Sequence, residues 1–300
     1  MATRYLVVGG SGFLGQEVLR VLGDFARGTY ATHEFEGGIP FDGATGVLRS
    51  VEAHTGGAPD VVLFLHGNAN PDFCAKNPEL TRQANVIGMK RLIHESWEIG
   101  ALPVYMSTDY VFDGTRGLRA EFEPRSPSTE YGRQKAEIEE WLEESGRPFL
   151  VCRSSKIVSE RRDTHSVVGQ WLNDIEAGRD LKCAVDQTFS PAHVNDTALA
   201  LRDLVAAGAR GIFNVAGPEP VSRYDLAQML LDAIQPYAPA PAPRLLPIKL
   251  SDVPFHETRP LNTSLDVSKL YAVTQRHFRS LADICREAAG QYFEHSRAKQ

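Results

Sequence analysis

Along the first half of the chain, short unbroken apolar runs alternate with longer stretches in which apolar residues return every three or four positions. That alternation predicts βαβ units and a parallel sheet. "RYLVVGG" (Arg4 to Gly10) reads as a strand, Gln16 to Leu22 as a helix, and Thr29 to Thr32 as a short second strand. "DVVLFLH" (Asp60 to His66), "PVYMS" (Pro103 to Ser107) and "FLVCR" (Phe149 to Arg153) read as three further buried strands. Between them, Leu80 to Trp97 carries Ala84, Ile87 and Leu92 on one stripe at helical period. The expected fold class is α/β, a doubly wound parallel sheet. In such sheets ligands bind beyond the carboxyl ends of the strands.

After Arg153 the alternation weakens. "RSSKIVSERRDTHS" is polar and irregular, and it is followed by a helix near Val167 to Ala177 and a strand near Leu181 to Val185. "GIFNVAG" (Gly211 to Gly217) reads as another strand, placed to rejoin the first sheet. "PYAPAPAPRLLP" (Pro236 to Pro247) holds five prolines in twelve residues, too many for a helix or a central strand. An extended surface loop is expected there. The last thirty residues read as a helix with a charged tail.

Composition narrows the function classes. A chain of 300 residues, 42% hydrophobic, buries roughly three quarters of its unfolded surface, so a sizeable core is available. Lys and Arg number 32 against 38 Asp and Glu, a formal charge of −6, and no window carries the dense basic stripe that nucleic acid demands. The longest apolar stretches are strand-sized, short of the roughly 20 residues of a membrane helix. The N-terminus runs straight into a strand pattern without the features of a signal peptide, which points to the cytoplasm. Cys74, Cys152, Cys183 and Cys285 form no CxxC pair, so reduced structural thiols are expected and no metal site.

The chemistry concentrates in two segments. "GGSGFLG" places Gly9, Gly12 and Gly15 between a strand and a helix, with Ser11, Phe13 and Leu14 completing the loop. Such glycines let backbone approach a pyrophosphate, whose charge meets the N–H groups and positive end of the helix. An acid at the tip of the second strand would hold the ribose hydroxyls of NAD. Here that place offers Thr32 and His33, with Glu34 late, which favours NADP over NAD and makes His33 a candidate partner of a 2′-phosphate. "STEYGRQKAEIEEWL" sets Tyr131 and Lys135 four apart, on one helical face. A lysine ammonium beside the phenol is expected to lower its pKa and tune it for proton transfer. "STDYVFDG" (Ser107 to Gly114) puts the Thr108 hydroxyl at a strand tip, available to a substrate oxygen beside Tyr131.

Taken in order, GxxGFLG, "CAKNPE…AN", "STDYVFDG", "P…YGRQKAEIE" and "RPLNTSLDVSKL" resemble the extended short-chain dehydrogenase/reductases, and within them the dTDP-4-dehydrorhamnose reductases, from about residue 4 to 270. The resemblance implies a Rossmann domain over residues 1–153, rejoined by 190–217, and a smaller mixed α/β substrate lobe over 154–300. It implies a Thr108, Tyr131, Lys135 catalytic triad, Asp42 as an adenine-side acid and Asn85 as a mid-helix cofactor-side residue. Asp109 follows the triad threonine, Gln187 belongs to a "DQ" near the substrate pocket, and Arg259, Pro260 and Asn262 form a C-terminal "RP.N" element.

Two departures bear on substrate. The family's "RTSW" is "RSSK" here, with Lys156 in the aromatic position, where it could pair with a substrate phosphate or carboxylate. The small "NAAA" run is "FLHG", which sets Leu65 and His66 beside the nicotinamide, His66 as a packing residue. Asp109-Tyr110 in place of Asp-Glu disfavours a dehydratase. The expected activity is reduction by NADPH of a ketone on a small, anionic substrate, foremost a nucleotide-linked 4-keto-6-deoxysugar. Alternatives are a ketoreductase on a non-sugar intermediate, a dinucleotide-binding regulatory subunit like that of methionine adenosyltransferase, and an epimerase that retains NAD. The sequence is compatible with a homodimer and gives no sign of a membrane or nucleic-acid partner.

Overall fold

Seven parallel strands form the centre of the computed structural model, which describes residues 2–162, 166–237 and 243–298. In chain order the first six are β1 (Tyr5–Val8), β2 (Ala26–Tyr30), β3 (Ile39–Pro40), β4 (Val61–Phe64), β5 (Leu102–Thr108) and β6 (Leu150–Ser154). The chain winds outward through β2 and β3 on one side of β1 and through β4, β5 and β6 on the other. Gly211–Val215 returns to pair in parallel with β6 at the far edge. The winding therefore reverses between β1 and β4, and the glycine loop and "FLHG" leave the sheet side by side there.

The strands read as continuous apolar runs because both faces are covered. Alternate side chains go to opposite cores. Tyr5, Val7, Leu63, Met106 and Cys152 meet α1 (Phe13–Leu22) and the Val194–Ala206 helix. Leu6, Val8, Val62, Tyr105 and Val151 meet Met89, Leu92, Ile138 and Leu142 from the Met89–Glu98 and Glu130–Glu144 helices. A third core lies between the helices Val167–Glu176, Arg223–Ile234 and Leu281–Ala298, around Leu172, Leu230 and Ala288. All four cysteines are free and buried. No helix among the described residues is long and apolar enough to cross a membrane.

Several boundaries differ from the sequence reading. Helix α1 starts at Phe13 rather than Gln16, because Gly12 in extended conformation serves as its N-cap and the glycine loop runs directly into it. Strand β2 occupies Ala26–Tyr30, so Thr32 and His33 sit in the bend beyond it. The single helix expected over Leu80 to Trp97 contains a wide π turn at Gln83–Gly88, between Pro78–Arg82 and Met89–Glu98. Of the proline-rich stretch, residues 238–242 lie outside the described residues. Leu245–Ile248 is a strand rather than loop, paired in parallel with Leu181–Ala184. Pro247 fits because that ribbon has only two strands and leaves its outer side unpaired.

One interaction ties the Glu130–Glu144 helix to the strand ends. Arg153 and Glu139 are both 0% exposed and meet at 2.6 Å (Nη2 to Oε2), with Arg153 Nε within 3.1 Å of both carboxylate oxygens. The Ser107 hydroxyl donates to Glu139 Oε1 at 2.5 Å. Removing Arg153 leaves the buried Glu139 carboxylate with only the longer contact to Arg125, at 3.4 Å. Arg153→Ala is therefore expected to destabilise the fold by about 3–5 kcal/mol in urea denaturation; a loss within about 1 kcal/mol, as for a surface pair, would contradict this account.

Candidate active site

The glycine loop leaves room where a phosphate group would need it. Gly9 has φ +94°, and a Cβ on Gly15 would stand 2.1 Å from the Gly9 carbonyl oxygen. Gly12 offers no side-chain cap and the first turn of α1 carries no acid, so its N–H groups and positive end are left for an external anion. This arrangement fits a dinucleotide pyrophosphate. In the same loop Ser11 gives its carbonyl to the Gln16 amide at 3.2 Å, while Leu14 packs on the first core.

The remaining cofactor-side candidates sort differently. Leu65 is half-buried against the first core, its N–H bonded to the Val8 carbonyl at 2.9 Å. His66 packs over Gly43, and both its ring nitrogens are shielded and without a hydrogen-bond partner. Burial pushes its pKa down to about 4, leaving the ring neutral. Thr32 and His33 are exposed and bonded to each other at 2.9 Å. Asp42 accepts from the Ala44 N–H at 2.8 Å and the Thr45 hydroxyl at 3.0 Å, bonds that hold its carboxyl below the usual range and close its own turn. Asn85 acts as a tie: its amide nitrogen donates to the Asn68 carbonyl at 3.0 Å and to Gln134 at 2.8 Å, and its oxygen accepts from the Asn68 N–H at 2.8 Å. Asn85 thus joins the loop after β4 to the helix that bears Tyr131.

Thr108 ends β5, and its hydroxyl accepts from the Tyr110 N–H and donates to Asp109 at 3.0 Å. The Glu130–Glu144 helix begins on the Thr129 hydroxyl, which accepts from the Gly132 N–H at 3.1 Å. Any Cβ at Gly132 would come within 2.2 Å of the Tyr110 carbonyl oxygen. That glycine therefore allows the helix to abut the turn after β5 and brings Tyr131 up to Thr108.

The expected lowering of the Tyr131 pKa is not what the fold produces. Burial raises the phenol well above its ordinary value, with the Thr108 hydroxyl opposing it in part. Lys135 lies 5.9 Å from the Tyr131 ring centre and donates instead to the Met106 carbonyl at 2.8 Å. Its own pKa is pushed down to about 8 by burial, against the pull of Glu139.

Thr108, Asp109 and Tyr131 line a cavity of about 300 Å³ with Phe13 of α1 and with Lys156, Gln187 and Arg223 from the chain after β6. Asp109 is fully enclosed, accepting from Thr108 and, at 3.0 Å, from the Ser155 hydroxyl, and burial raises it to about 6. Lys156 stands exposed at the cavity. Gln187 is buried and accepts from Arg223 Nε at 2.6 Å. Arg259 is buried, paired with Asp72 at 2.6 Å and stacked over Phe255, and its charge acts on Tyr110, which lines the cavity.

Arg223, Ser155 and Phe189 are cavity residues that the sequence reading missed. Arg223 opens an ordinary amphipathic helix after a Ser222 cap, so nothing local marks it. Elsewhere, Glu160, His193 and Glu287 bring ligand atoms within 4.8 Å of one another. The Arg279 guanidinium contacts His193 at 2.6 Å and Glu287 at 3.2 Å, which makes the group an ion-pair network.

Comparison with known proteins places this geometry. The family model described as RmlD substrate binding domain matches residues 3–292. "Probable low-salt glycan biosynthesis reductase Agl14" of Haloferax volcanii is 30% identical over 88% of this chain and 90% of its own. Methionine adenosyltransferase 2 subunit beta of Mus musculus is 28% identical over 89% of this chain and 81% of its own. The crystal structure of dTDP-4-dehydrorhamnose reductase from Bacillus anthracis in complex with NADP shares the fold, with a TM-score of 0.79 at 20% identity over 98% of this chain and 100% of that one.

Two measurements probe the site. Gly15→Ala forces a methyl into the Gly9 carbonyl, so NADPH binding followed by nucleotide fluorescence should weaken at least tenfold while the fold persists; unchanged affinity would exclude the loop as the cradle. Because Asp109 is raised from 3.8 to about 6, the folded chain holds a proton that the unfolded chain has released. The stability this contributes is full below the unfolded value and is lost as pH rises through about 6. Denaturation midpoints of Asp109→Asn should show less of that fall than wild type across the same window; identical profiles would contradict the assignment.

Proposed function

The chain belongs to the RmlD substrate binding domain family, an extended short-chain dehydrogenase/reductase family, and from that premise we propose that it is an NAD(P)H-dependent reductase of a substrate ketone. NADPH is the favoured cofactor, since the bend after β2 offers Thr32 and His33 and no acid. The foremost substrate is a nucleotide-linked 4-keto sugar, held by the lobe over residues 154–300. One observation carries the reading: Phe13 of the glycine-loop helix lines the same cavity as Thr108 and Tyr131, so the cofactor cradle and the proton-donating phenol open onto one space.

The bound nicotinamide would supply the hydride. The roles of the chain's own groups follow from their placement. Gly9, Gly12 and Gly15 clear the approach to the N–H groups of α1. Thr108, its hydroxyl oriented by Asp109 and the Tyr110 N–H, aligns the carbonyl oxygen. Tyr131 is protonated at neutral pH because burial disfavours its phenolate, the form needed to give a proton to the forming alkoxide, a stronger base. The phenolate left behind is stabilised by the Lys135 ammonium, which remains largely charged below about pH 8. His66, neutral and enclosed, packs beside this space without entering proton transfer.

The test is consumption of NADPH over a panel of dTDP- and UDP-linked 4-keto sugars alongside non-nucleotide ketones. Tyr131→Phe should lower kcat by about 10²–10⁴-fold with cofactor affinity retained, the range for a lost acid–base group. Turnover at the wild-type rate in that variant, or no consumption with any ketone, would sink the reading.

A further inference from the structure

Lys156 and Arg223 are the two cations that line the cavity of Thr108 and Tyr131, and among the described residues no carboxylate pairs with either. Most arginines here are matched: Arg82 with Glu137, Arg119 with Glu123, Arg259 with Asp72, Arg276 with Asp203. Arg223 is held in place by neutral groups, its Nε on Gln187 at 2.6 Å and its guanidinium 5.6 Å over the Phe189 ring. Lys156 has the Asp109 charge within reach, yet both Asp109 oxygens are already occupied by the Thr108 and Ser155 hydroxyls. Burial disfavours the Arg223 charge. A fold that holds two unpaired cations against one cavity, while preparing hydrogen-bond acceptors and an aromatic face to orient one of them, has a complementary anion as its natural occupant.

The lining of the cavity decides where that anion is carried. Thr108 and Tyr131 line the same cavity. We infer that the ketone-bearing fragment of the substrate itself carries a carboxylate, clamped by Lys156 and Arg223 while Thr108 and Tyr131 address its carbonyl oxygen. The substrate class is thus an acidic sugar or comparable keto acid rather than a 6-deoxysugar. This rests on the reductase reading and deepens it.

UDP-glucuronic acid and UDP-glucose share base, ribose and diphosphate and differ at the sugar carboxylate, so they make a matched pair of probes. Calorimetric titration of the NADP-loaded protein should show the uronate bound about ten- to hundredfold more tightly, the range for a charge-assisted hydrogen bond. Lys156→Gln and Arg223→Gln should each abolish that preference, the uronate falling to the affinity of UDP-glucose. Lys156→Arg should keep it. If both ligands bind alike or neither binds, or if the Gln variants weaken both equally, as they would were the cations holding the diphosphate, the inference falls. Failure of the reductase reading shows separately, as absence of NADPH consumption with every ketone of the panel.

Discussion

The buried Arg153–Glu139 pair is the constraint on which the site depends. Glu139 lies one helical turn beyond Lys135 and two beyond Tyr131 on the same helix. Arg153 sits next to the end of β6, two residues before Ser155 and three before Lys156. Ser107, which donates to the same carboxylate, immediately precedes Thr108. One ion pair therefore sets the mutual register of a helix and two strand ends, the elements that carry Tyr131 and Lys135, end on Thr108, and lead into Lys156. Desolvating two charges is expensive, and a hydrophobic pair would often do as well for stability alone. What the pair adds is direction: hydrogen bonds from two strands to one carboxylate allow far less sliding than apolar contact would.

Around that frame the electrostatics are local rather than global. A chain of net charge −6 has to bind an anionic dinucleotide, and it presents the uncapped start of α1 for the purpose. On the cavity that Phe13 also lines, Lys156 and Arg223 have no carboxylate partner among the described residues. Between these positive regions lie groups whose charge is suppressed by burial: His66 neutral, Tyr131 protonated, Asp109 raised, Lys135 lowered. Burial, rather than any one neighbour, is the leading cause for all four. This is why the simple expectation that a lysine four residues on would lower the tyrosine failed.

The sequence carried the strands and most helices because the determining signals are local. Apolar runs mark β1, β4, β5 and β6, and the spacing of Tyr131 and Lys135 puts both on one face of a helix that does form. Boundaries were less legible where a long-range contact intervenes, as in the π turn that holds Asn85 against Asn68 and Gln134. The same holds for Pro247, whose strand exists only because Leu181–Ala184 lies alongside. Arg259 carried a recognisable motif, but its partner Asp72 lies 187 positions away, a pairing no local pattern announces.

Local order, then, was written in the sequence: the alternation that builds a doubly wound sheet, the glycine loop between strand and helix, and the threonine at a strand tip. Proximity and solvation were decided only in three dimensions. Arg223 lines the cavity because the chain after β6 folds back to Thr108 and Tyr131, and no periodicity encodes that approach. The protonation states of Tyr131, Lys135 and Asp109 likewise follow from how completely water is excluded around them, a property of the packed whole and not of any one segment.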